Sequence, residues 1–305
     1  MARAFVGEGL VTGVQLDLHD IQGIVFYSFA DQPNAAYLHV HFAPDPALGR
    51  EWLASLAPEV TRAWHAKHDR RDESVQVAFT AAGLEALGVP ADVINTFGRE
   101  FYVGMNSQER AKVLGDLDGD PPSGWEFGAP SQTPIHAVLI LFARSELALS
   151  ALRARHVARL ASAGATIVHE DTAALSPNAR EHFGFHDGIS QPNIEGSPRS
   201  RKRAIEPEVP AGEFLLGYRN AYGNVPPTPH YNGTDIGQNG TFLVYRALRQ
   251  DVAAFWNAVY ERARPPRREL GRCGRASRRS AGRALAERRA ACSPPRPRRG
   301  LVGRR

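Results

Sequence analysis

The sequence predicts an α+β fold, a ferredoxin-like antiparallel sheet with helices on one face. Three observations predict it. Tyr37-Leu38-His39-Val40-His41-Phe42 and Ser74 to Phe79 alternate as half-buried strands do. Ile135 to Phe142 is an apolar, β-branched run suited to a buried strand. Helical patterns stand between these runs, which places helices and strands in alternation.

In chain order, the strand at 37–42 is followed by a helical pattern beginning over Glu51 to Leu56. The strand at Ser74 to Phe79 comes next, then helical signals from Ala81 through Phe101. The strand at Ile135 to Phe142 leads into an amphipathic helix over Ser145 to Ala163. The order strand, helix, strand, helix, strand, helix, strand fits a ferredoxin-like unit spanning residues 1–165.

A chain of 305 residues with 43% apolar content can bury a real core. No stretch approaches 18 consecutive apolar residues, so no membrane partner is expected. Met1 to Asp20 lacks a basic start followed by an apolar run, so the cytoplasm is the expected compartment. The net charge of +5 hides an asymmetry. Residues 262–305 hold sixteen Arg and two Glu, a charge of +14, which leaves the body at −9. Both cysteines, Cys273 and Cys292, lie in that tail, so the body has no thiol for a disulfide, a thiolate ligand or a zinc site.

The segment most suited to chemistry is Gly184-Phe185-His186-Asp187-Gly188, continuing as Ile189-Ser190-Gln191-Pro192. Glycine lets the backbone turn sharply and approach a ligand, and a carboxylate between two glycines can face a flat cofactor. The alternative is a tight turn closed by an Asx hydrogen bond.

This nine-residue string resembles the distal haem loop of the dye-decolourising peroxidases, whose signature is Gly-x-x-Asp-Gly. Further stretches agree: Asp20-Ile21-Gln22-Gly23, Ala78 to Leu84, Phe214-Leu215-Leu216-Gly217-Tyr218 with Asn220, Tyr222 and Gly223, and Asn239-Gly240-Thr241-Phe242-Leu243-Val244-Tyr245-Arg246. The resemblance covers roughly residues 17 to 260. It implies the same ferredoxin-like fold, followed by a second, incomplete ferredoxin-like unit over 166–261, with haem b held between the two. The second unit would open with Phe214 to Tyr218 as a strand. Asn239-Gly240 would then turn into a strand at Thr241 to Tyr245, and a helix would carry Leu248, Val252, Phe255, Trp256 and Val259 on one face.

The resemblance implies that Asp187 is a general acid and base above the haem iron, moving a proton between the oxygens of hydrogen peroxide. It implies that Gly188, Ile189 and Ser190 line the haem face. An unperturbed Asp has a pKa of about 3.9, so acidic conditions should favour such an enzyme. The implied partners are hydrogen peroxide and bulky aromatic reductants. Tyr222, Tyr231, Trp256 and Tyr260 suit electron relay by chemical type, although packing is the plainer role for each.

A haem peroxidase needs a proximal His. Only His230 follows the loop, and it does not match the family's axial position; Arg219 and Arg246 likewise do not match the distal arginine. The tail from 262 to 305 reads as a basic arm for nucleic acid, an amphipathic membrane-surface helix, or a reading-frame error in a GC-rich gene. The last is preferred, so nucleic acid is not the expected partner. The alternative function is a haem-free remnant, or a binding protein whose Arg-rich tail meets nucleic acid or anionic surfaces. His39 with His41, and His65 with His68, share faces at strand and helix spacing, but no third metal ligand is specified.

Overall fold

The computed structural model describes residues 14–69, 71–176, 178, 180–186, 188, 191–198 and 207–263. The chain divides into two units at Leu248 and Arg249.

In the first unit, β1 (Asn34–His41) places Ala36, Leu38 and Val40 on one face and Tyr37, His39 and His41 on the other, as alternation requires. Next come α1 (Pro46–Leu56) and α2 (Ala63–His68). Asp45 caps α1 by accepting from Ala47 N at 2.9 Å, and Pro46 sits at the first helical position, where no amide hydrogen is needed. After β2 (Glu73–Phe79) the chain forms four short helices, α3 (Ala81–Ala86), α4 (Ala91–Asn95), α5 (Arg99–Val103) and α6 (Gln108–Leu114). Then come β3 (Ala137–Ala143), the long α7 (Glu146–Ser162) capped by Ser145, and β4 (Thr166–Ala174).

The four strands form one antiparallel sheet in the order β2-β3-β1-β4, and the predicted ferredoxin-like α+β architecture is the one found. The fourth strand begins past residue 165 and pairs with β1 along its length, with a bulge between His39 and Val40. The core lies between the sheet and its helices, where Leu38, Leu139 and Leu141 meet Trp52, Leu152 and Leu160.

The opposite face is covered by irregular chain. Phe29 stacks on Phe142 at 4.9 Å. Gln22 reads the outer edge of β2 as a strand would, donating to Val77 O at 2.8 Å and accepting from Val77 N at 3.0 Å. Thr61 exchanges backbone and side-chain bonds with Val75 beside it. These contacts occupy an edge that would otherwise template further pairing.

The two strands expected for a second ferredoxin-like unit, both within Met1–Leu248, do not form. Phe214 to Tyr218 follows a 3-10 turn at Ala211–Glu213 and runs through turns, with Gly217 at φ +85. Its Leu215 is buried with Ile21, Phe26 and Ile194 in a second small core. Thr241 to Tyr245 has no ladder. The physical reason is that a strand needs a partner edge. Leu216 bonds Gly240 O at 2.9 Å and accepts from Asn239 N at 3.2 Å, and the pairing stops there. Among the described residues past 207, regular pairing is confined to β5 (His230–Tyr231) and β6 (Thr234–Asp235).

The second unit contains α8 (Val252–Ala263), opened by Asp251, whose carboxylate accepts from Ala254 N at 2.8 Å. Leu248, expected on the same helical face, precedes this helix.

Candidate functional site

The glycine-flanked loop follows β4. Its entry is a hairpin in which Arg180 and His186 form an antiparallel bridge. Glu181 fills the turn: its Oε2 accepts from Phe183 N at 2.8 Å and its Oε1 from Phe185 N at 2.6 Å. Its own backbone bonds Phe185 O at 3.0 Å and Gly184 N at 2.9 Å. Arg180 donates to Gly184 O at 2.6 Å from outside. Gly184 at φ +94 and Gly188 at φ +78 both adopt backbone that L side chains avoid, and among the described residues beyond their chain neighbours no atom lies within 4 Å of where a Cβ would stand. Backbone conformation, not crowding, therefore demands glycine at both. Of the expected site residues, Gly188 is described and exposed, whereas Asp187, Ile189 and Ser190 lie outside the described residues.

Downstream, the chain returns to the core. Ile194 is buried and forms a parallel bridge with Val209, with Glu195 N on Val209 O at 2.9 Å and Val209 N on Asn193 O at 2.8 Å. Gly196 packs against the Val14 backbone so closely that a side chain there would collide with it. The loop is thus anchored by the sheet on one side and by the small core on the other.

Three of the stretches that carry the resemblance meet at one junction. Asn239 donates to Asp20 Oδ2 at 2.8 Å and accepts from Tyr218 OH at 2.6 Å. Ile21, next to Asp20, is fully buried in the core that holds Leu215.

Sequence reasoning missed a cluster on the helix-free face. His169 donates to Asp171 Oδ1 at 3.1 Å, Tyr245 donates to Asp171 Oδ2 at 2.8 Å, and His39 Nδ1 lies 3.3 Å from His169 O. Phe127 stacks on His169 at 4.0 Å. Burial lowers the His39 pKa and raises that of Tyr245, where the hydrogen bond to Asp171 adds to the effect. Burial alone would raise the Asp171 carboxyl, but the hydrogen bonds from Tyr245 and His169 outweigh it and hold it below its ordinary value. The signal was hidden because these residues come from β1, β4 and two loops, and no single stretch shows them as neighbours. The pairs weighed as metal ligands are used elsewhere: His41 stacks on His136 at 4.2 Å, and His68 lies against Trp64 at 3.9 Å. Among the described residues, no group of three or more His, Cys, Asp or Glu is arranged to hold a metal ion.

Two hollows mark the first unit, one of about 390 Å³ beside Trp52 and Arg159 and one of about 540 Å³ beside Phe127 and Gln132. Neither is lined by the described residues of the 180–188 loop. His230 Nδ1 lies 2.9 Å from Thr228 O, and its Nε2 lies 3.9 Å from Asp235 Oδ2, beyond hydrogen-bond distance. Among the described residues past the loop, the one histidine, His230, is exposed on this turn. Arg219 and Arg246, the arginines near this region, bond Gly223 O and Asp116 respectively.

No family model matches the sequence. A dye-decolorizing peroxidase of Mycena epipterygia is 32% identical over 185 residues, covering 60% of this chain and 32% of that protein. The multifunctional dye peroxidase DyP2 of an Amycolatopsis strain is 32% identical over 196 residues, covering 60% of this chain and 37% of its own length. A solved decolorizing peroxidase from Auricularia auricula-judae superposes with a TM-score of 0.56 at 24% identity, over 69% of this chain and 45% of that one. A DyP-type peroxidase of Anabaena also gives 0.56, at 23% identity, over 65% of this chain and 46% of that one. The chain thus spans between a third and a half of the proteins it matches. No helix among the described residues is long and apolar enough to cross a membrane.

Proposed function

We propose that this chain, which is similar to the dye-decolourising peroxidases, carries the distal side of a haem-dependent peroxidase. The single supporting observation is the pair of left-handed glycines, Gly184 and Gly188, on either side of the position where Asp187 stands in the sequence. Asp187 serves as general acid and base. Its carboxylate takes a proton from one oxygen of hydrogen peroxide and returns it to the other, so that the O–O bond breaks heterolytically and water leaves. A bound haem b supplies the two electrons that this cleavage consumes. Gly188, Ile189 and Ser190 line the haem face. Bulky aromatic reductants such as dyes and phenols would be the source that restores those electrons.

The test is to supply what the described residues lack. The chain is mixed with hemin and excess imidazole as a soluble axial base, then given hydrogen peroxide and an anthraquinone dye. Dye loss should fall by about 10²-fold or more in Asp187→Asn, the range expected when a general acid–base group is removed. Equal rates in the parent chain and Asp187→Asn would refute the assignment.

A further inference from the structure

We infer that Asn232 is a site of spontaneous deamidation, and that Asn239, its counterpart in the same segment, is protected from it. The chemistry needs no haem and no enzyme, only water. Both residues precede glycine, as Asn232-Gly233 and Asn239-Gly240, and these are the two Asn-Gly pairs of the chain. Glycine has no side chain to shield its amide from the residue before it, so either pair invites attack on the asparagine. Both asparagines also share a left-handed backbone, with φ +50 at Asn232 and +63 at Asn239. Residue type and backbone are thus matched, and bonding separates the two.

At Asn239 the participating groups are held. Its Nδ2 donates to Asp20 Oδ2 at 2.8 Å, its Oδ1 accepts from Tyr218 OH at 2.6 Å, and Gly240 N, which would attack, donates to Gly237 O at 2.9 Å. The tip of the β5–β6 hairpin has nothing comparable. Asn232 and Gly233 are both exposed, and among the described residues neither the Asn232 side chain nor Gly233 N has a hydrogen-bond partner. The hairpin is held by two residue pairs, His230 with Asp235 and Tyr231 with Thr234, and pairing that short opens readily.

In the reaction Gly233 N gives up its proton and bonds to Asn232 Cγ, the Cγ–Nδ2 bond breaks, and ammonia leaves with that proton. A five-membered succinimide remains, which water opens. Addition of water at Cγ gives an aspartate, whereas addition at the main-chain carbonyl carbon gives an isoaspartate, whose chain runs through Cβ and Cγ. The second product lengthens the backbone inside a two-residue turn, and turn length fixes the register of a hairpin. The contact at risk is Tyr231, whose hydroxyl donates to Gly88 O at 3.0 Å.

The test ages the full chain in mildly alkaline buffer, both folded and in concentrated urea. Cleavage before Asp235 places Asn232 and Asn239 in separate peptides, and the mass gain of each counts its deamidation. Protein isoaspartyl methyltransferase should label the first peptide, which reports the rerouted chain. Three bonds must open together at Asn239, so the folded chain should react about tenfold or more faster at Asn232. In urea the two rates should converge. Asn232→Gln should remove the gain from the first peptide; a gain that survives belongs to another asparagine and would overturn the assignment. So would equal rates in the folded chain, a faster Asn239, or no gain at Asn232. A gap that persists unchanged in urea would trace the difference to local sequence and would refute the protection at Asn239.

Discussion

Asn239 donates to Asp20 Oδ2 at 2.8 Å, joining residues 219 positions apart. The same amide oxygen accepts from Tyr218 OH, and Asn239 itself sits at φ +63, a conformation asparagine tolerates better than most residues. One side chain therefore ties the start of the first unit to two later stretches that carry no strand.

Replacing it separates backbone from bonding. Asn239→Gly keeps the left-handed backbone and loses both side-chain bonds, so it should cost about 1 kcal/mol. Asn239→Ala should cost about 1 kcal/mol more, for the strained φ. Urea melts measure both. A double-mutant cycle with Asp20→Ala should show coupling of about 0.5 kcal/mol or more, and additivity within error would mean the bond is idle in solution.

Gly83 in α3 gives a case where two effects oppose each other. Alanine is the better helix former by about 1 kcal/mol, so propensity alone says Gly83→Ala stabilises. Packing says otherwise, because a Cβ there would run into the His136 backbone, which also accepts from Thr80 N at 3.0 Å. Backbone cannot swing aside as a side chain can, so the variant should lose about 3 kcal/mol. A melting temperature equal to or above the parent's would show that α3 slides freely on β3.

His136 and His156 predict how stability depends on pH. Both are buried, and both have pKa values lowered to about 4, His136 by burial and then by His41, His156 by burial against the opposing pull of Glu59. His136 Nδ1 accepts from Phe42 N at 2.9 Å, which only the neutral ring can do. A depressed folded pKa means the unfolded chain binds more protons between the two values. Stability is therefore full above about pH 6.5 and falls as the pH drops toward 4, by about 2 kcal/mol per group between pH 7 and 5. Urea melts across that range should show the loss, and His156→Leu should flatten part of it. A parent chain equally stable at pH 5 and 7 would contradict both shifts.

Tyr245 should ionise above the ordinary tyrosine range, because burial and the bond to Asp171 both favour the protonated phenol. Ultraviolet titration of the parent against Tyr245→Phe should show the lost component at the high end. The variant should also lose about 1 kcal/mol, as Asp171 gives up one of its two donors. Loss of a component at ordinary pH would place the Tyr245 hydroxyl in water.

The fold of the first unit was legible because its physics is local. Leu38 and Val40 alternate with His39 and His41 whatever lies beyond them, Ser145 announces the start of α7, and Ile135 to Phe142 can only be buried. The strands expected at Phe214 to Tyr218 and Thr241 to Tyr245 fail for the opposite reason. Their composition suits strands, but strand formation depends on a neighbour elsewhere in the chain, and there the available partners are turns and side chains. Glu181 was invisible for a similar reason: an exposed-type residue before a motif has no pattern until two amides are seen to converge on it.

By itself, the amino-acid sequence determined the alternation of helices and strands, the glycine-flanked position of Asp187 and the resemblance to the dye-decolourising peroxidases. Only the tertiary structure decided that β4 closes the sheet beside β1, that His39, His169, Asp171 and Tyr245 gather on its helix-free face, and that Asp20, Tyr218 and Asn239 share one junction. The division is physical. Periodicity and backbone preference are properties of neighbours along the chain, whereas pairing, burial and shared hydrogen bonds are properties of neighbours in space.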